Sequence, residues 1–282
     1  MPELPEVQTV VNGLKEGLVG DRITCITPIW EKVLSNFIPS DLFIKDKKTL
    51  IQDVTRRAKF IIIHFPSSIL AIHLRMTGKL FFPVANQIPK HTTAVIKLDS
   101  GKKLIFHDTR KFGRIYLYND LTPINERHGP EPLGKNFSVD WLHRALQQRK
   151  RNIKALLLDQ SFLAGLGNIY VDESLWAAGI HPGSISNALP AARIRRLHEA
   201  VQAILKAAIT ARGTTIIDFS YLNGQSGRYA SQLRIFGRQG QPCITCGWEI
   251  EKIKVAGRGT YVCSRCQKKY TRGQSAPQQD RG

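Results

Sequence analysis

The sequence runs to 282 residues, about two domains' worth, and its 42% hydrophobic and 22% charged content excludes wholesale disorder. Lys and Arg number 41 against 22 Asp and Glu, a formal net charge of +19. So large an excess points to a polyanionic partner, and to nucleic acid before a membrane surface, because no long basic amphipathic helix stands outside the globular pattern. The longest strongly apolar run, Phe60-Ile61-Ile62-Ile63-His64-Phe65, is far short of the ~20 residues of a membrane span. The opening Met1-Pro2-Glu3-Leu4-Pro5-Glu6 is acidic and proline-broken, the opposite of a targeting segment. A reducing cytoplasmic compartment is therefore expected, in which cysteines serve as metal ligands or free thiols.

Taken in chain order, Pro5 suits a helix's first turn, Glu6 suits its positive end, and Val7, Val10, Val11, Leu14 and Leu18 make one apolar face. From residue 23 to about 121 the pattern is strand-like. Short β-branched or aromatic runs at 60–65, 69–74, 79–82, 94–98, 103–107 and 113–117 are separated by turn signals such as Pro66-Ser67-Ser68 and Asp99-Ser100-Gly101, which suggests a β-sandwich. Residues 122–136, rich in Pro and Gly, read as a linker. Helical periodicity follows at 141–148, 153–159, 169–178 and 191–211, with Gly213 as a stop. The second half, residues 142–282, carries a net +13 against +6 for the first, and most of the polyanion is expected there.

Cys243 and Cys246, then Cys263 and Cys266, form two Cys-x2-Cys pairs. Their four thiolates would complete a tetrahedral shell, implying one structural Zn²⁺ with no open position for catalysis. Between the pairs the pattern alternates and turns at Gly257-Arg258-Gly259, a β-hairpin expected to carry Arg258 at its tip. A rigid tip with an arginine suits a phosphate. Cys25 reads as a small buried hydrophobe.

Met followed by Pro is normally trimmed, leaving Pro2 as a secondary amine with a pKa near ~7.7–8.0. Such an amine can attack a sugar C1′ and form an iminium, with Glu3 and Glu6 beside it to handle protons. On these residues alone the segment reads first as helix initiation.

Three separated motifs change that weighting. Pro2-Glu3-Leu4-Pro5-Glu6-Val7 at the start, Gly165-Leu166-Gly167-Asn168-Ile169-Tyr170 in the helical half and the four-cysteine module closely resemble, in this order and spacing, the bacterial formamidopyrimidine-DNA glycosylases. These are bifunctional glycosylase/AP lyases that remove oxidised purines, chiefly 8-oxoguanine and ring-opened purines, and the resemblance spans residues 2–268. It implies an α+β multidomain fold: an N-terminal β-sandwich with its leading helix (1–121), the linker (122–136), a helix–two-turn–helix domain (137–236) with a lesion-recognition loop at 214–229 and a β-hairpin zinc finger (237–270); the Gln/Gly-rich tail outside it (271–282) reads from its composition as disordered. It also implies a monomer acting on double-stranded DNA that contains oxidised purines, in the cytoplasm and associated with the nucleoid.

The resemblance also implies roles. Pro2 would be the nucleophile and Schiff-base former, Glu3 the proton shuttle at the sugar, and Glu6 its support. Lys59 would bind the phosphates beside the lesion and assist elimination. Arg258 would clamp the phosphate next to the flipped nucleotide and promote the second elimination. His73, His91 and Asn168 would add phosphate contacts, and Arg149, Lys150 and Lys154 further DNA contacts. Met76, Arg110 and Phe112 match a void-filling trio: a wedge, a hydrogen-bonding partner for the orphaned base and a stacking ring, which the cost of unstacking a base demands. Read without the resemblance, Lys59 is a solvated strand-edge lysine, Asn168 an N-cap, either histidine a buried core residue and Phe112 part of a strand core. The sequence departs from common versions of the family at Ile216, Ile217 and Asp218, at Phe236 where many members carry a tyrosine, and in Thr109-Arg110-Lys111-Phe112-Gly113. Two competitors share these features: a sister activity on oxidised pyrimidines, and a zinc-containing DNA binder without chemistry, against which Pro2, Glu3 and Lys59 argue.

Overall fold

The structure, a computed structural model, describes residues 1–83, 88–214 and 227–271. The chain divides into two compact units, residues 1–131 with 205–232 and residues 132–204 with 233–282. Ile216, Ile217, Asp218 and residues 272–282 lie outside the described residues, and with them most of the expected recognition loop and the tail. Among the described residues no helix is long and apolar enough to cross a membrane.

In the first unit, helix α1 (Leu4–Leu18) buries Leu4, Val7, Val10, Val11, Leu14 and Leu18, the one face its helical spacing defines. Among the described residues eight strands follow: β1 (Ile23–Pro28), β2 (Asp53–Arg57), β3 (Phe60–His64), β4 (Ile69–His73), β5 (Lys79–Phe81), β6 (Thr92–Leu98), β7 (Lys103–His107) and β8 (Arg114–Tyr118). They form two four-stranded sheets, in the orders β1-β6-β7-β5 and β2-β3-β4-β8, antiparallel throughout. The expected sandwich is present, and its main core includes Ile61, Ile63, Leu70, Ile72, Ile96 and Phe106. β4 is buried on both faces: the short helix α3 (Thr122–Asn125) covers the far side, where Ile124 meets Ile62, Ile69 and Ala71. The linker therefore begins as part of the fold.

Three local features differ from the sequence reading. β2 has a single buried apolar residue, Val54, so no alternation reveals it. Helix α2 (Pro39–Lys45) spans only 7 residues, too few to display a helical period. Cys25 is partly exposed, not buried. A register shift between Ile23 and Cys25 on the edge strand β1 gives the inward place to Ile26, as a bulge does.

The second unit holds α4 (Val139–Gln147), α5 (Ile153–Leu158), α6 (Asn168–Ala178) and most of α7 (Ala191–Thr210). Ser138 Oγ accepts the Trp141 N–H of α4 at 3.1 Å and Asn152 Oδ1 the Ala155 N–H of α5 at 3.0 Å, caps worth about 1 kcal/mol each. The two turns between α5 and α6 are stapled by Gln160, whose side chain accepts from Gly165 N at 3.0 Å and donates to Leu166 O at 2.9 Å. The cysteine module, expected as a separate domain, is stitched to this helical segment. His181 N–H donates to Lys268 O at 2.9 Å, Lys268 N–H to Gly179 O at 3.1 Å and Ile185 N–H to Tyr270 O at 2.8 Å.

The hairpin strands are β9 (Glu251–Val255) and β10 (Arg258–Val262). Arg258 pairs with Val255, so the two-residue turn is Ala256-Gly257 and not Gly257-Arg258-Gly259. Arg258 opens the return strand, one residue beyond the tip. Both turn residues have positive φ, 50° and 73°, which is the type I′ turn that suits strand twist and favours Asn-Gly. An alanine there carries a left-handed strain of about 1 kcal/mol. Ala256→Asn is expected to raise the thermal unfolding midpoint; a lowered midpoint would contradict this turn.

Candidate active site and DNA interface

Each unit holds one part of the expected site. In the first, Pro2, Glu3, Leu4, Pro5, Glu6 and Val7 are buried without a break, while Met1 is 52% exposed. Glu6 Oε2 accepts the Glu3 N–H at 2.9 Å and Oε1 the Thr214 N–H at 2.8 Å. One buried carboxylate thus holds both the start of α1 and the residue at which the 214–229 segment begins. The β2–β3 hairpin packs on the same helix through Arg56 Nε, which donates to Gln8 Oε1 at 3.1 Å.

Lys59 lies in the two-residue turn of that hairpin and is only 4% exposed, so it is no solvated strand-edge lysine. Its neighbour Ala58 has φ 52°, and Glu131 holds it there. Glu131 Oε1 accepts the Ala58 N–H at 2.6 Å and Arg57 Nη1 at 2.9 Å, and Oε2 meets Arg56 Nη2 at 2.5 Å. Burial alone would raise this carboxyl's pKa, but Arg56, the Ala58 amide and Arg57 outweigh it and hold it below the ordinary value. No sequence signal marked Glu131, which sits in a segment read as linker.

His73 pairs with Phe60 across the sheet, ring edge to face at 4.7 Å. Burial, followed by the charges of Arg75, Lys59 and His128, pushes its pKa down to about 3. Its Nδ1 accepts the Arg75 N–H at 3.0 Å, which leaves the proton on Nε2. His73 is therefore a neutral donor at pH 7, suited to a phosphate oxygen as a hydrogen-bond partner without charge. Met76 is 42% and Phe112 48% exposed. Phe112 precedes β8 and belongs to no strand core, and the Arg110 guanidinium lies 4.8 Å from its ring centroid. His91, in a left-handed backbone conformation with φ 66°, is also exposed.

In the second unit Arg258, Arg149 and Lys150 are exposed. Asn168 is the first residue of α6 with Gly167 as N-cap, and its Nδ2 donates to Gly259 O at 2.9 Å, beside Arg258. Lys154 is a correction. Expected to contact DNA, it is 0% exposed. Its Nζ donates to Asp172 Oδ1 at 2.6 Å and Thr260 Oγ1 at 2.7 Å, so a solvated polyanion cannot reach it. It is a strut beneath the hairpin. Asp172 Oδ2 accepts the Tyr261 N–H at 3.1 Å, and its neighbour Glu173 accepts those of Arg234, Ile235 and Phe236. Burial raises the Asp172 pKa to about 6 even with Lys154 alongside. Phe236 stacks edge-on against Tyr261 at 5.0 Å.

The four sulfurs of Cys243, Cys246, Cys263 and Cys266 lie within 4.8 Å of one another, with Cys243–Cys266 at 3.8 Å and Cys246–Cys263 at 3.5 Å. Zn–S bonds of about 2.3 Å place tetrahedral sulfurs about 3.8 Å apart, so donor set and spacing fit one zinc ion.

Comparison with known proteins agrees with this geometry. Residues 1–115 match the formamidopyrimidine-DNA glycosylase N-terminal domain, residues 128–220 the H2TH domain of the same enzymes, and residues 240–269 the zinc finger found in FPG and IleRS. The formamidopyrimidine-DNA glycosylase of Herpetosiphon aurantiacus is 42% identical, over 95% of this chain and 100% of its own. The chain belongs to the formamidopyrimidine-DNA glycosylase family. Solved structures of the family superpose closely. A Lactococcus lactis FPG mutant in complex with Fapy-dG-containing DNA gives a TM-score of 0.86 at 36% identity, and MutM in complex with carbocyclic 8-oxo-G-containing DNA 0.84 at 37%. Each covers 95% of this chain and 100% of its own. As in other formamidopyrimidine-DNA glycosylase zinc fingers, the cysteines here hold one structural zinc.

The depressed pKa of His73 favours the native state above the ordinary histidine value of 6.5, and that contribution is lost as pH falls from there toward 3. Its imidazole NMR signals are expected not to titrate between about pH 5 and 8; a midpoint near the ordinary value would mean a solvated ring. Metal analysis should find one zinc per chain, and chelation should lower both thermal stability and DNA affinity. Chelated protein that binds DNA unchanged would separate the finger from the interface.

Proposed function

We propose that this chain is a bifunctional DNA glycosylase and AP lyase of base-excision repair, removing 8-oxoguanine and formamidopyrimidines from double-stranded DNA as a single chain at the bacterial nucleoid in the cytoplasm. The observation that carries the reading is the unbroken burial of residues 2–7 beneath an exposed Met1, with the Glu6 carboxylate fastening the Glu3 amide. A helix-initiating segment needs no such enclosure, whereas an amine nucleophile gains from it, because desolvation favours the unprotonated form.

With Met1 removed, the Pro2 nitrogen attacks C1′ as the bond to the damaged base breaks and the base leaves with a proton; the Pro2 N–H proton is lost, and Glu3 delivers a proton to O4′ so that the C1′–O4′ bond opens to the iminium. Loss of the C2′ proton from the resulting iminium drives β-elimination of the 3′ phosphate, and a second elimination releases the 5′ phosphate. Lys59 and His73 hold phosphates in the first unit, one as a cation and one as a neutral donor. Arg258 and Asn168 do so in the second, with Arg149 and Lys150 adding charge. Met76, Arg110 and Phe112 fill the space left by the extruded nucleotide and engage the orphaned base. With several phosphates neutralised, affinity should fall steeply with salt.

Borohydride trapping tests this reading. A duplex bearing one 8-oxoguanine opposite cytosine should yield a covalent adduct at Pro2, while Pro2→Gly and Glu3→Gln lose at least about 100-fold in base release. An adduct with an oxidised pyrimidine alone would transfer the chain to the sister activity. Tight binding without any adduct would leave a DNA reader that lacks chemistry.

A further inference from the structure

The three exposed residues assigned to the vacated space come from two loops 34 to 36 positions apart in the sequence, yet all of them hang from one carboxylate. Asp108 is 1% exposed. Its Oδ1 accepts the Thr77 hydroxyl and the Arg110 N–H at 3.1 Å, and its Oδ2 accepts the Gly113 N–H at 2.7 Å. Thr77 Oγ1 also accepts the Arg110 N–H, at 3.2 Å, so hydroxyl, amide and carboxylate form a closed triangle between the loops. The Asp108 N–H donates to His91 O at 3.0 Å, which ties in a third loop.

Each donor belongs to a residue that faces outward or directly follows one. Thr77 follows Met76, Arg110 is itself one of the three, and Gly113 follows Phe112. The anchorage also works against backbone strain. Arg75 and Lys111, flanking Met76 and Phe112, both have φ 56°, a conformation non-glycine residues hold only when surroundings enforce it. Gly113 must approach closely: a Cβ there would stand 2.4 Å from Phe106 Cζ and 3.1 Å from Asp108 Oδ2. A buried carboxylate with three donors is directional in a way that apolar packing of these exposed loops is not.

We infer that Asp108 is a positioning residue that fixes the spacing between the Met76 loop and the Arg110–Phe112 loop, so that the three side chains enter the duplex as one rigid insert. The inference rests on the void-filling roles proposed above. Asp108 touches neither the sugar nor Pro2; its contribution lies in base extrusion. An abasic site has no base to unstack, so it bypasses that step while still requiring Pro2, Glu3 and Lys59.

The test compares two substrates in the full-length enzyme: a duplex with 8-oxoguanine opposite cytosine, and the same duplex with a preformed abasic site. Asp108→Ala should lower kcat/KM on the lesion about 100-fold, the cost of a misplacement near 1 Å, while abasic-strand cleavage stays within about threefold. Thr77→Val, which removes the hydroxyl link and keeps the shape, should lose about tenfold on the lesion alone. Stopped-flow fluorescence of 2-aminopurine beside the lesion should show slowed unstacking in both variants. If Asp108→Ala fails to fold, Thr77→Val and its fluorescence trace decide. Equal losses on both substrates, or none on either, would overturn the inference. Met76→Ala and Phe112→Ala serve as controls. If they process the lesion normally, the void-filling premise fails; if they lose it while Asp108→Ala and Thr77→Val do not, the role of Asp108 alone fails.

Discussion

The Glu6 carboxylate holds the beginning of this chain where chemistry can use it. First residues ordinarily fray, because the opening turn of a helix has unpaired amides and few tertiary contacts. Here residues 2–7 are buried, and Glu6 accepts amides from Glu3 and Thr214, positions on opposite sides of most of the sequence. A buried carboxylate is costly unless its oxygens are hydrogen-bonded, and the same requirement that satisfies Glu6 immobilises both segments.

That device recurs. Glu131 accepts the amide of Ala58 beside Lys59, Asp108 the amides of Arg110 and Gly113, Asp172 that of Tyr261 near Arg258, and Glu173 three successive amides from Arg234 to Phe236. A buried carboxylate that accepts a backbone N–H positions the chain itself, and charge assistance makes the bond stronger than a neutral one. The need is plain from the dihedral angles. Ala58, Arg75, His91, Lys111 and Ala256 all have positive φ, and each is, or lies within two residues of, a side chain expected to meet DNA. Strained turns of this kind persist only where surrounding structure over-determines them.

The Arg258 hairpin shows how several weak supports combine. Two strands of five residues are marginal alone. Below them lies the fully buried Lys154–Asp172 pair, where removal of one partner typically costs about 3–5 kcal/mol because the other charge is left uncompensated. Asn168 holds the Gly259 carbonyl from the start of α6, and the zinc-binding cysteines close the far end. Arg258 is exposed and its backbone is not free to wander.

By itself, the sequence determined everything that depends on local pattern: the apolar face of α1, most strands of the sandwich, the helices from α4 to α7, the four zinc ligands, and the family through Pro2-Glu3 and Gly165–Tyr170. These are legible because periodicity and ligand spacing are properties of neighbouring residues. Tertiary structure alone decided that Lys154 is a strut and not a DNA contact, that Arg258 lies beyond its turn, and that Glu131, Asp108 and Asp172 govern the loops. A carboxylate or an ammonium reads the same in a sequence whether it is solvated or enclosed. Its role is set by which distant amide or charge the fold brings within about 3 Å, where a hydrogen bond forms, and no local pattern encodes that partner.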